Sequence, residues 1–300
     1  MKVPVISLCL PTNGVIEWVF PVLDSIYSQR IDFDKFEVIV TNNGDNEQFH
    51  QMMKEYADKY SNLTYKKTNA YLFDNQLEAL KLAKGEYFKF VNHRTALIDG
   101  GLKYLIESVE ENIQEKPVMY FSNGALKQNY MCASFDEFVA CLERYASWTT
   151  GVGIWKEDYN KIPSNQVYDK ISPHSAILFS ERKKSCYLIL NRAFSCEIEA
   201  DHSKKGRYDL FKAFGVEEIS ITQNLYIDGS ITAATFKKVK NNYKEFVASL
   251  YWEFCIRKKP CSYDLSGFDD SMGIYFNKWE IILRAYIHGL KLLIGKIIMR

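Results

Sequence analysis

The 300-residue sequence has no long uninterrupted hydrophobic run, no Cys-x-x-Cys pair and almost no net charge, and each absence removes a class of function. Met1-Lys2-Val3-Pro4 leads straight into a strand-like pattern without the apolar stretch of a secretory signal, so a cytoplasmic location is expected. A formal charge of +1, from 38 basic and 37 acidic residues, supplies no global field for nucleic acid or an acidic polymer. The seven cysteines, at positions 9, 132, 141, 186, 196, 255 and 261, are odd in number and are not grouped with histidine. Free thiols in a reducing compartment fit that pattern, and a disulfide framework or structural zinc does not. There is no internal repeat and no low-complexity tract. What is present is apolar bulk: 47% hydrophobic and 15% aromatic residues, ample for the core of one large or two small domains.

The apolar residues alternate between strand and helix periods. Val3 to Leu10 is a continuous run that ends at Pro11-Thr12-Asn13-Gly14, and Val15, Trp18, Val19, Val22, Leu23 and Ile26 then recur at helical spacing. Pro21 is expected near that helix's start, where its missing N–H has no partner to lose. Phe36 to Thr41 reads as a second strand, ending in Asn42-Asn43-Gly44-Asp45-Asn46, before a helix with Phe49, Met52, Met53, Tyr56 and Tyr60 on one face. Leu63 to Lys67 is a weaker strand, followed by a helix over 75–84. Gly85 then stops that helix, and a short aromatic and β-branched strand runs into Asn92-His93-Arg94-Thr95. Asp99 is placed to cap the next helix, with Leu102, Leu105, Ile106, Val109 and Ile113 on its buried face. Strands alternating with helices predict βαβ units, a mostly parallel sheet and ligands beyond the strands' carboxyl ends. The polar turns 11–14, 42–46 and 92–95 are therefore expected to converge on one site.

Beyond residue 117 the alternation loosens. Val118 to Phe121 reads as a strand, Ser134 to Glu137 as a capping box before a helix with Phe138 and Leu142, and Gly151 to Trp155 as a strand. A helix and the strand Cys186 to Leu190 follow, then a polar segment, 199–208, expected as a mobile loop near the site. Two helices close the chain, over 241–258 and about 271–300. From Trp279 the last of these carries a broad apolar face interrupted by Glu280, Arg284, His288, Lys291, Lys296 and Arg300. Charge interrupts it too often for it to span a bilayer; surface contact with a membrane through 279–300 and packing on protein are both left open.

Together these pieces resemble the GT-A fold nucleotide-sugar glycosyltransferases, the inverting family 2 in particular and its abequosyltransferase-like branch. The resemblance covers about residues 3 to 200. Its marks are Ile6 to Asn13, the Asp24-Ser25-Ile26 and Gln29 tail of the first helix, Glu37 to Gly44, and above all Asn75, Ala79-Leu80, Leu82-Ala83 and Lys84-Gly85-Glu86-Tyr87. It implies a GT-A domain over 1–235, with a nucleotide-sugar half (1–116) and an acceptor half (117–235), and a helical extension over 236–300. It also implies a nucleotide-sugar donor and a saccharide or lipid-linked acceptor in surface polysaccharide assembly. A homo-oligomer is left open.

The resemblance assigns roles residue by residue. Pro11, Thr12 and Asn13 form the turn that approaches the nucleotide; Asn42, with Asn43, stands where an acidic residue reads the base or ribose; Asn75 faces the nucleotide. Asn92, His93 and Arg94 stand where relatives place an aspartate cluster that holds a divalent ion on the diphosphate. Without those carboxylates a hard cation lacks its ligands, so no metal cofactor is expected, and Arg94 with His93 is the expected grip on the phosphates. For the general base of an inverting transfer Asp169 is preferred to Asp158, and His174 is expected to orient phosphate or acceptor or to be structural. The rival expectations are a catalytically inactive saccharide-binding or scaffolding module and an enzyme that moves another group from a nucleotide-linked donor.

Overall fold

The computed structural model describes residues 2–199 and 207–298. Most of the segment expected as a loop at 199–208 lies outside the described residues. The chain forms two compact units, one of residues 1–138 and 145–200 and the other of 139–144 and 201–300. The expected boundary was at 235; the units divide at 200.

The first unit is built on a five-stranded sheet. Its strands are β1 (Ile6–Thr12), β2 (Phe36–Asn42), β3 (Leu63–Lys67), β4 (Tyr87–Phe90) and β8 (Gly153–Trp155), in the order β3-β2-β1-β4-β8. The first four are mutually parallel and β8 closes the edge antiparallel to β4. β1 and β2 are buried along nearly their whole length, as continuous apolar runs in a sheet covered on both faces require. The connecting helices are α1 (Ile16–Tyr27), α2 (Glu47–Ala57) and α3 (Asn75–Leu82). Parallel β1, β2 and β4 all end at the same side, which places the turns 12–14, 42–46 and 92–94 together.

The remaining strands form small accessory sheets. β5 (Thr95–Leu97) pairs with β10 (Ser195–Glu197), and β9 (Tyr187–Leu190) lies between β6 (Val118–Phe121) and β7 (Tyr130–Cys132). Helices α4 (Gly101–Glu111), α5 (Phe135–Leu142), α6 (Lys156–Tyr159) and α7 (Pro173–Leu178) complete the elements up to residue 200.

Several local expectations are corrected. Pro21 is the sixth residue of α1, inside the helix; its ring sits on the exposed face while Trp18, Val19, Val22, Leu23 and Ile26 are buried, so packing offsets the missing hydrogen bond. Asp99 does not cap α4. The N-cap is Gly100 at φ 73°, and the orphan N–H of Leu102 goes instead to Gln29 Oε1 at 2.9 Å. The box before α5 is offset by one residue: Ser134 Oγ accepts from Glu137 N at 3.2 Å, and Glu137 Oε2 accepts from Ala133 N at 2.9 Å.

The second unit is helical: α8 (Leu210–Lys212), α9 (Glu218–Ile227), α10 (Ala233–Leu250), α11 (Phe268–Ser271) and α12 (Lys278–Ile298). Helix α10 begins earlier than expected because Thr232 caps it, its hydroxyl accepting from Thr235 N at 3.2 Å. Gly273, at φ 103°, separates α11 from α12, so the last helix starts later than expected. Ile281 and Ala285 of α12 are fully buried, and Gly289 lies against Trp252, where a side chain would strike the indole.

Candidate active site

The turn after β1 is the centre of the arrangement. Thr12 is buried; its Oγ1 accepts from Gly14 N at 3.1 Å and lies 2.9 Å from His93 Nδ1, joining the ends of β1 and β4. Asn43 N donates to Thr12 O at 3.1 Å, and Asn46 Nδ2 to Gly14 O at 3.3 Å, which brings in the end of β2. Gly44 is required there, since any Cβ would overlap the carbonyl of Asn13.

Asn42 and Asn75 build this turn from within. Asn42 is fully buried; its Oδ1 accepts from Gly44 N at 2.9 Å, and its Nδ2 donates to Gly44 O and Tyr65 Oη. Asn75 donates to Thr12 O at 3.1 Å and Thr41 O at 2.8 Å, and its Oδ1 accepts from the Thr68 hydroxyl at 2.8 Å. Both amides are therefore occupied, and they shape the turn without presenting a free group to a ligand. Asn43 Nδ2 ties the turn to the carbonyls of Ala70 and Leu72. Asn13 is exposed at the tip and Pro11 is half-buried before it.

The turn after β4 brings His93 and Arg94 against Trp18. The His93 ring meets Trp18 edge-on at 5.2 Å, and the Arg94 guanidinium lies over the same indole with its Cζ 5.6 Å from the ring centre. Asn92 Oδ1 accepts from Arg94 N at 3.0 Å, and Asn92 N donates to Thr150 Oγ1 at 3.2 Å. Burial, and then the charge of Arg94, hold His93 down to a pKa of about 3, so its imidazole is neutral at physiological pH. Arg94 is half-buried, and among the described residues no carboxylate lies within ion-pair distance of it. An oriented guanidinium beside a neutral imidazole can bind an anion through paired N–H donors. A divalent ion is a poor fit to an amide, an imidazole already bonded to Thr12 and a guanidinium, because none supplies the anionic oxygen such an ion takes. No cluster of three or more His, Cys, Asp or Glu suited to a metal occurs among the described residues.

The acceptor-side candidates separate clearly. Asp158 is buried, and both of its oxygens are held by lysines, Oδ1 by Lys161 at 2.9 Å and Oδ2 by Lys184 at 2.7 Å. Both carboxylate oxygens are thus engaged in ion pairs. Asp169 is half-buried; its Oδ1 accepts from Ile171 N and Ser172 N, each at 2.9 Å, just ahead of α7. His174 is buried in α7, with Nε2 2.9 Å from Ser147 O and Nδ1 without a partner among the described residues. Burial lowers its pKa to about 4, against the opposing pull of the Ser147 carbonyl and Asp169, so it is not a cation at neutral pH.

Two residues of the site were not singled out by pattern. Trp18 was read only as part of an apolar stripe, yet it is the platform for both His93 and Arg94. Lys89 lay inside an apolar strand, where a lone charge in a fully buried run was the available signal.

A central parallel sheet with an antiparallel edge, helices on both faces and a polar site at the strand ends defines a GT-A type glycosyltransferase fold. Residues 7–161, just over half of the chain, match the family described as Glycosyl transferase family 2, and the chain belongs to that family. Among curated proteins it is similar to the minor teichoic acid biosynthesis protein GgaB of Bacillus subtilis (strain 168), at 26% identity over 124 residues. That match covers 39% of this chain but only 14% of the length of GgaB. Among solved structures it resembles S. aureus TarS residues 1–349 in complex with UDP-GlcNAc, with a TM-score of 0.62 and 13% identity over 92% of this chain and 80% of that one. A longer TarS structure matches with a TM-score of 0.51 and 15% identity, covering 85% of this chain and 43% of that one.

Proposed function

We propose that the protein transfers a sugar from a nucleoside-diphosphate donor to a saccharide or glycolipid acceptor in surface polysaccharide biosynthesis, with inversion and without a carboxylate-bound metal. The observation that carries this is Arg94, held on Trp18 beside the Thr12–His93 pair at the ends of β1 and β4. The family supports the reaction class, and the names of GgaB and the TarS complex support a cell-wall polymer and a UDP-sugar as first choices. An abequosyltransferase-like placement rests on motif spacing alone.

In the reaction the acceptor hydroxyl attacks the anomeric carbon and the bond from that carbon to the diphosphate oxygen breaks. The hydroxyl proton passes to Asp169 Oδ2, and the negative charge gathering on the leaving diphosphate meets Arg94, with neutral His93 as an uncharged hydrogen-bonding neighbour. Asn13 and the backbone of the 12–14 turn face the nucleotide, while Asn42 and Asn75 keep that turn in shape. Incubation with a panel of nucleotide sugars and oligosaccharide acceptors, read as free nucleotide, tests the proposal. Turnover with one donor supports it; UDP binding without turnover on any donor favours the inactive module.

We also infer that helix α12 contacts an anionic lipid surface at the inner face of the membrane, which would suit a lipid-linked acceptor. Helix α12 turns Trp279, Leu283, Tyr286, Ile287, Leu290, Leu293 and Ile294 outward, all exposed. Within 278–298 the bases Lys278, Arg284, Lys291 and Lys296 outnumber the one acid, Glu280; Lys278 is paired with Asp269 and Arg284 with Glu245 and Glu280, so Lys291 and Lys296 are the bases that would attract anionic lipid. No helix among the described residues is long and apolar enough to cross a membrane. Co-sedimentation with anionic vesicles, lost in L283E/L290E with the helical circular dichroism unchanged, supports this reading; self-association without vesicle binding overturns it.

A further inference from the structure

Lys89 is the most anomalous residue of the first unit. It lies in the middle of β4 with no exposed surface and no ion pair among the described residues. Its surroundings are aromatic and aliphatic: the ammonium stands 5.2 Å from the ring centre of Phe121 and 5.6 Å from that of Phe194. An isolated charge buried this way is costly unless its donors are satisfied. Here they are matched one for one. Nζ donates to Phe90 O at 3.1 Å, to Val152 O at 3.3 Å and to Thr150 O. Three acceptors suit an ammonium with three N–H groups, and the two rings add cation–π attraction; these contacts oppose the burial that pulls the lysine well below its ordinary pKa.

These acceptors are not scattered. Thr150 and Val152 belong to the turn that leads into β8, and Phe194 precedes β10, which pairs with β5 directly after the Asn92–Arg94 turn. Thr150 is buried, and its hydroxyl receives the Asn92 N–H at 3.2 Å. A chain of contacts thus runs from Lys89 Nζ through Thr150 to Asn92, whose Oδ1 accepts from Arg94 N. A methionine of similar length would fill the same space with no charge to desolvate, but it would also leave the Thr150 carbonyl without the donor that Nζ supplies. Stability and positioning are therefore separated by where the loosening falls, not by the presence of the lysine alone.

We propose that Lys89 is a positioning residue: by pinning the 150–152 turn under β4 it lets Thr150 hold Asn92, and so fixes the Asn92–Arg94 turn in the form that grips the donor diphosphate. This inference rests on the donor site described above and extends it to a residue no ligand touches.

The test uses the full chain in three variants, Lys89→Met, Thr150→Val and the double variant, with UDP as the probe. Both single variants are expected to weaken UDP binding about tenfold and to lower the unfolding midpoint modestly, as the loss of a buried hydrogen bond requires, with the protein still folded. The double variant is expected to be no weaker than the worse single, since the two act on one path. Amide hydrogen exchange supplies a readout that needs no ligand: the 90–95 segment is expected to exchange faster in Lys89→Met, with β2 still protected. Unchanged exchange at 90–95, or fully additive losses of affinity, would overturn the positioning role. Exchange rising throughout the sheet would make Lys89 a general stability element and overturn it equally. If wild type and variants all fail to bind UDP while 90–95 still loosens selectively, the donor reading fails but the link from Lys89 to the turn stands.

Discussion

Two charged places in the first unit are opposites. At Asp158 every charge is answered: the buried carboxylate has Lys161 on one oxygen and Lys184 on the other. At Arg94 the guanidinium has an indole beneath it, the Asn92 amide oxygen 3.5 Å from its Nε and no carboxylate within ion-pair distance among the described residues. The first cluster holds the fold and leaves nothing for a ligand to displace. The second orients a cation without neutralising it, which is the condition for binding an anion from solution. Where a fold leaves a charge oriented but unanswered says more about function than where it gathers many charges.

That contrast separates stability from binding, and substitutions can break it. Asp158→Ala strands Lys184 and is expected to cost about 3 kcal/mol, at the low end for a broken buried pair because Lys161 is exposed. The denaturant midpoint should fall while UDP affinity measured on the folded protein stays within about twofold. Asn75→Ala sits between the two extremes, since its amide is both buried and part of the turn. Losing its bonds to Thr12 and Thr41 is expected to cost about 2 kcal/mol of stability and to weaken UDP binding as well, which calorimetry on one sample can read together.

The smallest effect is the pH dependence. His93 and His174 have pKa values held to about 3 and about 4, below the ordinary 6.5. Between those values and 6.5 the unfolded chain binds more protons than the folded one, so stability rises with pH there and is lost as pH falls below about 6.5. Each imidazole is expected to cost about 1 kcal/mol by about pH 5.5. Thermal melts from pH 7.5 to 5.5 should show the midpoint falling, and the fall should shrink in His174→Phe. A flat profile would mean that neither ring is as enclosed as its contacts indicate.

Much of the scaffold was legible in sequence because strand and helix periods are imposed by burial: Leu63–Lys67 and Val118–Phe121 appear with the bounds read from their residues. The three turns after β1, β2 and β4 could be brought together from parallel topology alone. What pattern did not disclose depends on which way a side chain turns. Asn42 and Asn75 were read as facing the nucleotide, but a buried amide that meets its own backbone's needs looks identical in sequence to one that waits for a ligand. Trp18 has the spacing of a core residue and is one, yet its ring edge also carries the site. The short strands β5, β7 and β10 and helix α9 were missed because their pattern is set by long-range partners, not by local period. Asp99 lost its capping role to Gly100, and the N–H of Leu102 goes to Gln29, 73 positions earlier in the chain, which no local rule anticipates.

In the reaction we propose, Arg94 takes the place of a bound cation on the donor diphosphate. Titrating UDP into wild type and Arg94→Gln, each with excess EDTA and again with magnesium, tests it most directly. Wild-type affinity is expected to be the same in EDTA and in magnesium, and Arg94→Gln to lose about 100-fold in both, the size of a charge-assisted pair of hydrogen bonds. Affinity that collapses in EDTA and is indifferent to Arg94→Gln would contradict it.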